Sequence, residues 1–155
     1  MIEGYSDADW AGCKVTRRST SGGFVKVGPH NVKHWSRIQQ CVSLSSAEAE
    51  LYALVKCATE AIGIQTLLAD WGISVGIRLY TDASAAKSIL MRQGIGRTKH
   101  IDVQSLWLQE RVAGGELTVE KIPRERNGAD LLTHHWRPEE GLRHLPRAAT
   151  FPYEV

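Results

Sequence analysis

Two phrases of the same type stand far apart in the chain, Tyr5-Ser6-Asp7-Ala8-Asp9 and Tyr80-Thr81-Asp82-Ala83-Ser84. Each closes a stretch that reads as a β-strand. With the side-chain period of 2, Arg78, Tyr80 and Asp82 share one face of the later strand, and Glu3, Tyr5 and Asp7 share one face of the earlier. If the two strands lie side by side and parallel, two carboxylates finish at the same sheet edge. Such a pair is not built for stability. An unpaired like-charge contact at ~4 Å and an effective dielectric of ~20 costs roughly 4 kcal/mol. A shared proton or a divalent cation is what offsets it. Each Asp, taken singly, could equally open a turn, and the duplication is what sets a paired-carboxylate site against that simpler reading.

Two more acids are positioned to join them. Glu48 and Glu50 sit two residues apart at the start of a helical pattern, so they point in nearly opposite directions. Glu48 has the spacing from Ser45 of a capping box, in which each side chain satisfies a backbone N–H of the opening turn. Glu50 borders the apolar stripe that must face a sheet, and it is placed either to lean over the strand ends or to stand as an ordinary surface glutamate. Asp130 follows the last strand and is either a helix-start acid favoured by the dipole or a fourth member of the group. Asp9 shares the parity of Asp7 but lies further into the loop, which makes it a supporting residue behind Asp7.

The elements that would carry these residues can be read in order. After the opening strand, residues 10–21 form a loop containing Arg17, Arg18, Ser19 and Thr20, followed by Gly22-Gly23. Residues 24–27 and 32–36 read as an antiparallel hairpin around Gly28-Pro29-His30-Asn31, and with the opening strand they make a meander. The longest helix runs from Ser45 to the Trp71-Gly72 stop, with Leu51, Leu54, Val55, Ala58 and Ile62 forming its stripe. The strand ending at Asp82 follows. Helices are expected over 83–92 and 99–112, a strand over 117–122 ended by Pro123, and a last helix over 127–136. The order β-β-β-α-β-α-α-β-α predicts an α/β fold with a mixed sheet, parallel where helical crossovers connect strands. Residues 1–136 are expected to be one domain, and the proline-bearing stretch 137–155 a loose tail.

Bulk properties bound the function. The 155 residues are 43% hydrophobic and 23% charged, ordinary for a globular domain able to bury a core. A formal charge of +2 does not by itself announce a nucleic-acid partner. No uninterrupted apolar run has the ~18 residues of a membrane span, and no membrane association is expected. The opening residues Met1-Ile2-Glu3-Gly4 have no secretory pattern. Cys13, Cys41 and Cys57 stand in no CxxC pair and read as reduced thiols of an intracellular protein, in preference to a disulfide or zinc site. His134-His135 lacks finger-like partners and reads as surface.

Five ordered motifs then carry a resemblance: Tyr5-Ser6-Asp7-Ala8-Asp9-Trp10-Ala11-Gly12, Arg17-Arg18-Ser19-Thr20-Ser21-Gly22-Gly23, the run from Leu44-Ser45-Ser46 through Glu50 to Leu54, Arg97-Thr98-Lys99-His100-Ile101-Asp102, and Gly128-Ala129-Asp130-Leu131-Leu132-Thr133. Over residues 5–136 the chain resembles the ribonuclease H domain of copia/Ty-type LTR retrotransposon Pol polyproteins. The resemblance implies a ribonuclease H-like fold, a five-stranded mixed sheet with three antiparallel and then two parallel strands. It also implies a metal-dependent endoribonuclease that cuts the RNA strand of RNA·DNA hybrids during reverse transcription. The family's four metal-binding acids fall on Asp7, Glu50, Asp82 and Asp130. The implied cofactor is Mg²⁺ as two ions, with Mn²⁺ as a substitute, since hard cations take oxygen ligands. Two ions ~4 Å apart would activate a water and stabilise the leaving 3′ oxygen.

The implied partners are the hybrid and the reverse transcriptase domain of the same polyprotein, in a cytoplasmic retrotransposon particle. RNA would be told from DNA by 2′-hydroxyl contacts in the minor groove. Arg17, Arg18, Ser19 and Thr20 are candidates for backbone contact, against a plain solvated loop. So are Lys99 and His100, at a helix start where N–H groups attract phosphate or where Thr98 simply caps. Two departures from the family stand out. Thr133 is followed by His134-His135-Trp136 in place of Lys-Pro, and 123–127 contains no histidine where cellular ribonucleases H carry one. His134 is the one residue that could stand in. The alternative is a catalytically degenerate module that holds hybrid without cutting it. A transposase-type nuclease would need a different acid order, and a purely structural α/β domain would need all five motifs to be accidental.

Overall fold

The computed structural model describes residues 1–92 and 103–134, together with Glu139. Strand alternation sets the core first. β1 (Ile2–Asp9) buries Ile2, Gly4 and Ser6 on one face, and β4 (Ile77–Thr81) buries Ile77, Leu79 and Thr81 in the same rhythm. The two pair in parallel with Tyr5 opposite Tyr80, so the duplicated phrases stand side by side. On the other face Tyr5 stacks between Phe24 and Tyr80, with ring centroids 4.6 and 4.8 Å apart, a favourable offset arrangement for aromatic pairs.

β2 (Thr20–Val27) and β3 (His30–Ile38) complete the antiparallel meander, and β5 (Leu117–Lys121) adds in parallel to β4. The strand order is β3-β2-β1-β4-β5. This is the expected five-stranded mixed sheet of the ribonuclease H-like fold, three antiparallel strands and then two parallel.

α1 (Ser46–Asp70) covers the sheet. Ser45 Oγ accepts from the Glu48 N–H at 3.2 Å, and the Glu48 carboxylate accepts from the Leu44 N–H at 2.8 Å. The capping box therefore forms with its return bond one residue earlier than Ser45. The helix passes through Gly63 and stops where Gly72 takes φ +77, a conformation L-residues avoid. Its stripe packs Leu51, Leu54 and Ala58 against Ile2, Val25 and Leu79. At Gly4 a Cβ would lie 2.6 Å from Cys57 Sγ, so the missing side chain is what lets α1 sit this close to β1. Truncating Leu54 there would cost about 2–5 kcal/mol. By length and composition α1 could cross a bilayer, yet its apolar face is used in this core.

Three expectations need correction. The loop over 10–21 ends sooner, because β2 begins at Thr20 and takes in Ser21, Gly22 and Gly23. Glycines weaken a strand in isolation. Here a Cβ on Gly22 would meet Thr133 Cγ2 at 2.7 Å and Leu132 Cβ at 2.8 Å, so the glycine admits the segment that crosses β2. The hairpin strands are also longer than read, β3 reaching from His30 to Ile38. The last helix over 127–136 is not an α-helix among the described residues. It is a pair of short 3-10 turns, Arg124–Arg126 and Gly128–Leu132, closed by i→i+3 bonds such as Thr133 N–H to the Asp130 carbonyl at 3.4 Å. Between them Asn127 is held by its side chain to β1, which stops helical propagation.

Of the two middle helices, α2 is Ser84–Leu90 and α3 is Val103–Ala113. The expected start of α3 at Lys99, the residues Arg97 to Asp102, and His135 and Trp136 lie outside the described residues, as does the tail 137–155 apart from Glu139. All three cysteines are free.

Candidate active site

Four separate elements deliver one carboxylate each to the same end of the sheet. Asp7 lies within β1, 4% exposed, opposite Gly22 of β2. Asp82 stands one residue past the end of β4, where the Ala83 N–H bonds Thr81 Oγ1 at 3.1 Å and turns the chain into α2. Glu50 reaches over from the first turns of α1 and accepts the Ala8 N–H on Oε1 at 3.3 Å. Asp130 arrives on the second 3-10 turn, 8% exposed. The four candidate acids of the sequence therefore meet.

They form two overlapping groups. Ligand atoms of Asp7, Glu50 and Asp82 lie within 4.8 Å of one another, and so do those of Asp7, Asp130 and His134. Asp7 belongs to both. Each group offers three donors to one point, enough for part of a cation's coordination shell.

The electrostatics mark a site short of positive charge. Burial, then the charges of Asp7 and Asp82, push the Glu50 carboxyl up to about 9. Burial also raises Asp7, against the hydrogen bond from Thr133, with Asp82 and Asp130 adding to the rise. Asp82 is raised chiefly by burial as well. Glu50 Oε2 is buried and has no hydrogen-bond partner among the described residues. A buried orphan oxygen beside raised neighbours fits a divalent cation, which would satisfy the oxygen and the charge together. The donor set is oxygen-rich, as Mg²⁺ or Mn²⁺ requires.

Three residues that sequence reasoning did not assign to the site hold it together. Asn127, 1% exposed, donates from Nδ2 to the Ser6 carbonyl at 2.9 Å and accepts the Ala129 N–H on Oδ1 at 3.2 Å. Asn127 therefore caps the second 3-10 turn and also ties the Asp130 segment to β1 next to Asp7. Thr133 donates from Oγ1 to Asp7 Oδ2. Arg124 places Nη2 3.0 Å and Nε 3.3 Å from Asp130 Oδ1. Nothing in strand or helix periodicity flags any of the three. The family pattern at Gly128–Thr133 could have pointed to Thr133, and an Arg after a strand-ending proline carries no local signal.

His134 lies with Nδ1 3.4 Å from Asp130 Oδ1 and 3.0 Å from Thr133 Oγ1, on the site's rim. Asp9 accepts the Thr20 N–H and belongs to neither group, so it braces the loop behind Asp7. In that loop Ala11 and Arg17 take positive φ of 54 and 57°. Arg17 and Arg18 are exposed, whereas Ser19 is buried with its hydroxyl accepting the Ala11 N–H at 3.0 Å. Ser19 and the Thr20 backbone thus shape the loop, and the two arginines are the side chains it presents. Lys99 and His100 lie outside the described residues.

No family model matches the chain. The retrovirus-related Pol polyprotein from transposon TNT 1-94 of Nicotiana tabacum is 34% identical over 135 residues, covering 86% of this chain and 10% of the polyprotein. That from transposon RE1 of Arabidopsis thaliana is 33% identical over 135 residues, covering 85% and 9%. The chain therefore spans about a tenth of the length of the curated relatives it matches. Among solved structures, an N-terminal RNase H domain from Mycobacterium tuberculosis matches with a TM-score of 0.59 at 17% identity, over 96% of this chain and 98% of that one. LC11-RNase H1, solved in complex with an RNA/DNA hybrid, matches with a TM-score of 0.55 at 16% identity, over 85% and 93%.

Proposed function

We propose, for a chain that belongs with the copia-type retrotransposon Pol polyproteins as their ribonuclease H-like segment, that it hydrolyses the RNA strand of RNA·DNA hybrids with divalent cations. The observation that carries this reading is the convergence of Asp7, Glu50, Asp82 and Asp130 from four elements onto one sheet end, with Asp7 common to both groups. The complex of LC11-RNase H1 with an RNA/DNA hybrid supports the substrate class.

The residues divide the work. Asp7, Glu50 and Asp82 would hold one Mg²⁺, and Asp7 and Asp130, with His134 at the rim, a second. When bound, the cations polarise the phosphate and lower the pKa of a ligated water. Thr133 fixes the Asp7 carboxylate by donating to Oδ2, so the shared ligand keeps one orientation. Asn127 locks the Asp130 segment to β1. Glu50 is tethered to the Ala8 N–H through Oε1, and its buried Oε2 is left for a cation to satisfy. Arg17 and Arg18 bear on the hybrid's phosphates from the neighbouring loop, adding salt-dependent affinity. Mn²⁺ suits the same donors. The structural match to the Prototype Foamy Virus Protease-Reverse Transcriptase, with a TM-score of 0.52 at 14% identity over 99% of this chain and 21% of that one, supports action together with the reverse transcriptase domain of the polyprotein, and the three free thiols suit a reducing, cytoplasmic setting.

The test is cleavage of a hybrid labelled separately on each strand, with and without Mg²⁺, by the unmodified chain and by Asp82→Asn. Metal-dependent cutting of the RNA strand alone, lost in the variant, is the expected result. Hybrid that is bound and left uncut would favour the degenerate binding module instead. Cutting that survives Asp82→Asn would put the active site elsewhere.

A further inference from the structure

The two cation positions are not equivalent, and Arg124 is what separates them. Both of its contacts, Nη2 at 3.0 Å and Nε at 3.3 Å, fall on the same oxygen, Asp130 Oδ1. Its charge also bears on Asp7, Asp82 and Glu50. Asp130 lies in the group with Asp7 and His134. The other group, Asp7 with Glu50 and Asp82, has no ion pair to a basic side chain among the described residues, and its Glu50 Oε2 is an orphan. One position thus has no cation in contact with its acids, and the other already has one on a carboxylate oxygen of Asp130.

A guanidinium and a divalent cation compete for the same lone pairs, and each repels the other at such range. We infer that Arg124 is a resident counter-cation of the Asp7–Asp130–His134 position, lowering that position's affinity for a divalent cation in the free protein. The Asp7–Glu50–Asp82 position then fills first. The second fills fully when an anion draws the guanidinium off Asp130, and a substrate phosphate is the anion the site would meet. Arginine suits this exchange, because its planar fork matches phosphate as well as carboxylate. The side chain is 63% exposed against 11% for Asp130, so the arginine is the partner free to move. This inference rests on the ribonuclease reading above.

Mn²⁺ serves as the probe, its free concentration followed by electron paramagnetic resonance during titration of the full chain. The unmodified chain, Arg124→Gln, Arg124→Ala and Arg124→Lys are compared, with circular dichroism melts to verify folding. The unmodified chain should bind one Mn²⁺ tightly and a second at least about tenfold more weakly. Arg124→Gln and Arg124→Ala should narrow that gap by tightening the second site, whose Asp130 the guanidinium contacts directly, far more than the first, and Arg124→Lys, which keeps the charge, should preserve most of it. A merely structural arginine would not move the second site selectively. Two equal sites in the unmodified chain, or an unchanged gap in both neutral variants, would overturn the inference. If such a chain still cuts hybrid, the ribonuclease reading survives. A chain that neither binds Mn²⁺ nor cuts hybrid overturns both.

Discussion

The strands β1 and β4 run into closely similar phrases and put them to unequal use. Their tyrosines face each other in register and stack, yet the two aspartates two positions further on are in different situations. β1 continues to Asp9, paired with β2 the whole way, so Asp7 is still inside the sheet and is crossed by the segment bearing Asp130 and Thr133. β4 stops at Thr81 and turns into α2, which leaves Asp82 beyond the strand and more open. Asp7 consequently joins both donor groups and Asp82 only one. Closely similar local sequence gives each strand an acid two residues after its tyrosine. How far the strand continues, and what crosses it, decides whether that acid is shared.

The largest effect should come from breaking the shared member. Asp7→Asn is expected to lower hybrid cleavage by about 10³-fold or more, the scale of losing cation-based stabilisation of the transition state. Asp82→Asn should also disable cleavage while retaining one Mn²⁺ position, whereas Asp7→Asn should retain none. Titration of both variants checks this, and equal Mn²⁺ binding by the two would erase the distinction between the strand ends.

Next in size is the pH dependence of the Asp7–Glu50–Asp82 group. Carboxyls in the unfolded chain titrate near ~4, while in the fold Asp7 and Asp82 are raised and Glu50 is held up to about 9. The unfolded chain therefore loses these protons first. The stability these groups contribute is complete below about pH 4 and is lost as pH rises through the folded values toward about 9. Without divalent cations, denaturant unfolding should show stability falling steadily across this window. Glu50→Gln should remove most of the slope, and saturating Mg²⁺ should restore stability at neutral pH. A flat profile for the cation-free chain would contradict the charge deficit assigned to this group.

A smaller effect sharpens the role of the crossing segment. Thr133→Val leaves Asp7 Oδ2 without its donor and should cost about 1 kcal/mol of stability, with Thr133→Ser largely restored; paired unfolding curves decide it. The smallest lies outside the acid cluster. Arg17→Ala and Arg18→Ala should each weaken hybrid binding modestly and reduce the slope of log affinity against log salt by about 0.7–0.9. A slope that both variants leave unchanged would remove these arginines from the interface.

Much of the scaffold was legible because its signals are local. The stripe of α1, the Ser45–Glu48 cap, the strand before Asp82 and the Gly72 stop each follow from spacing or from a conformation that few residues adopt. Gly22-Gly23 misled for the opposite reason. Glycine in a strand is unfavourable by itself, and it is required here because Leu132 and Thr133 pass close to Gly22 and the Trp35 ring lies against Gly23. The last helix misled similarly, since Asn127 is bound sideways to the Ser6 carbonyl across most of the chain's length, and no window of neighbouring residues contains that bond.

The sequence by itself determined which acids were available and that β1 and β4 would each end in one, because side-chain parity and turn chemistry are properties of a few consecutive residues. The tertiary structure alone decided that Asp7 would be shared, that Thr133 and Asn127 would hold the cluster, and that Arg124 would lie on Asp130. Those are contacts between segments distant in the chain or within an irregular turn, where charge and distance in space, not spacing along the chain, set the energy.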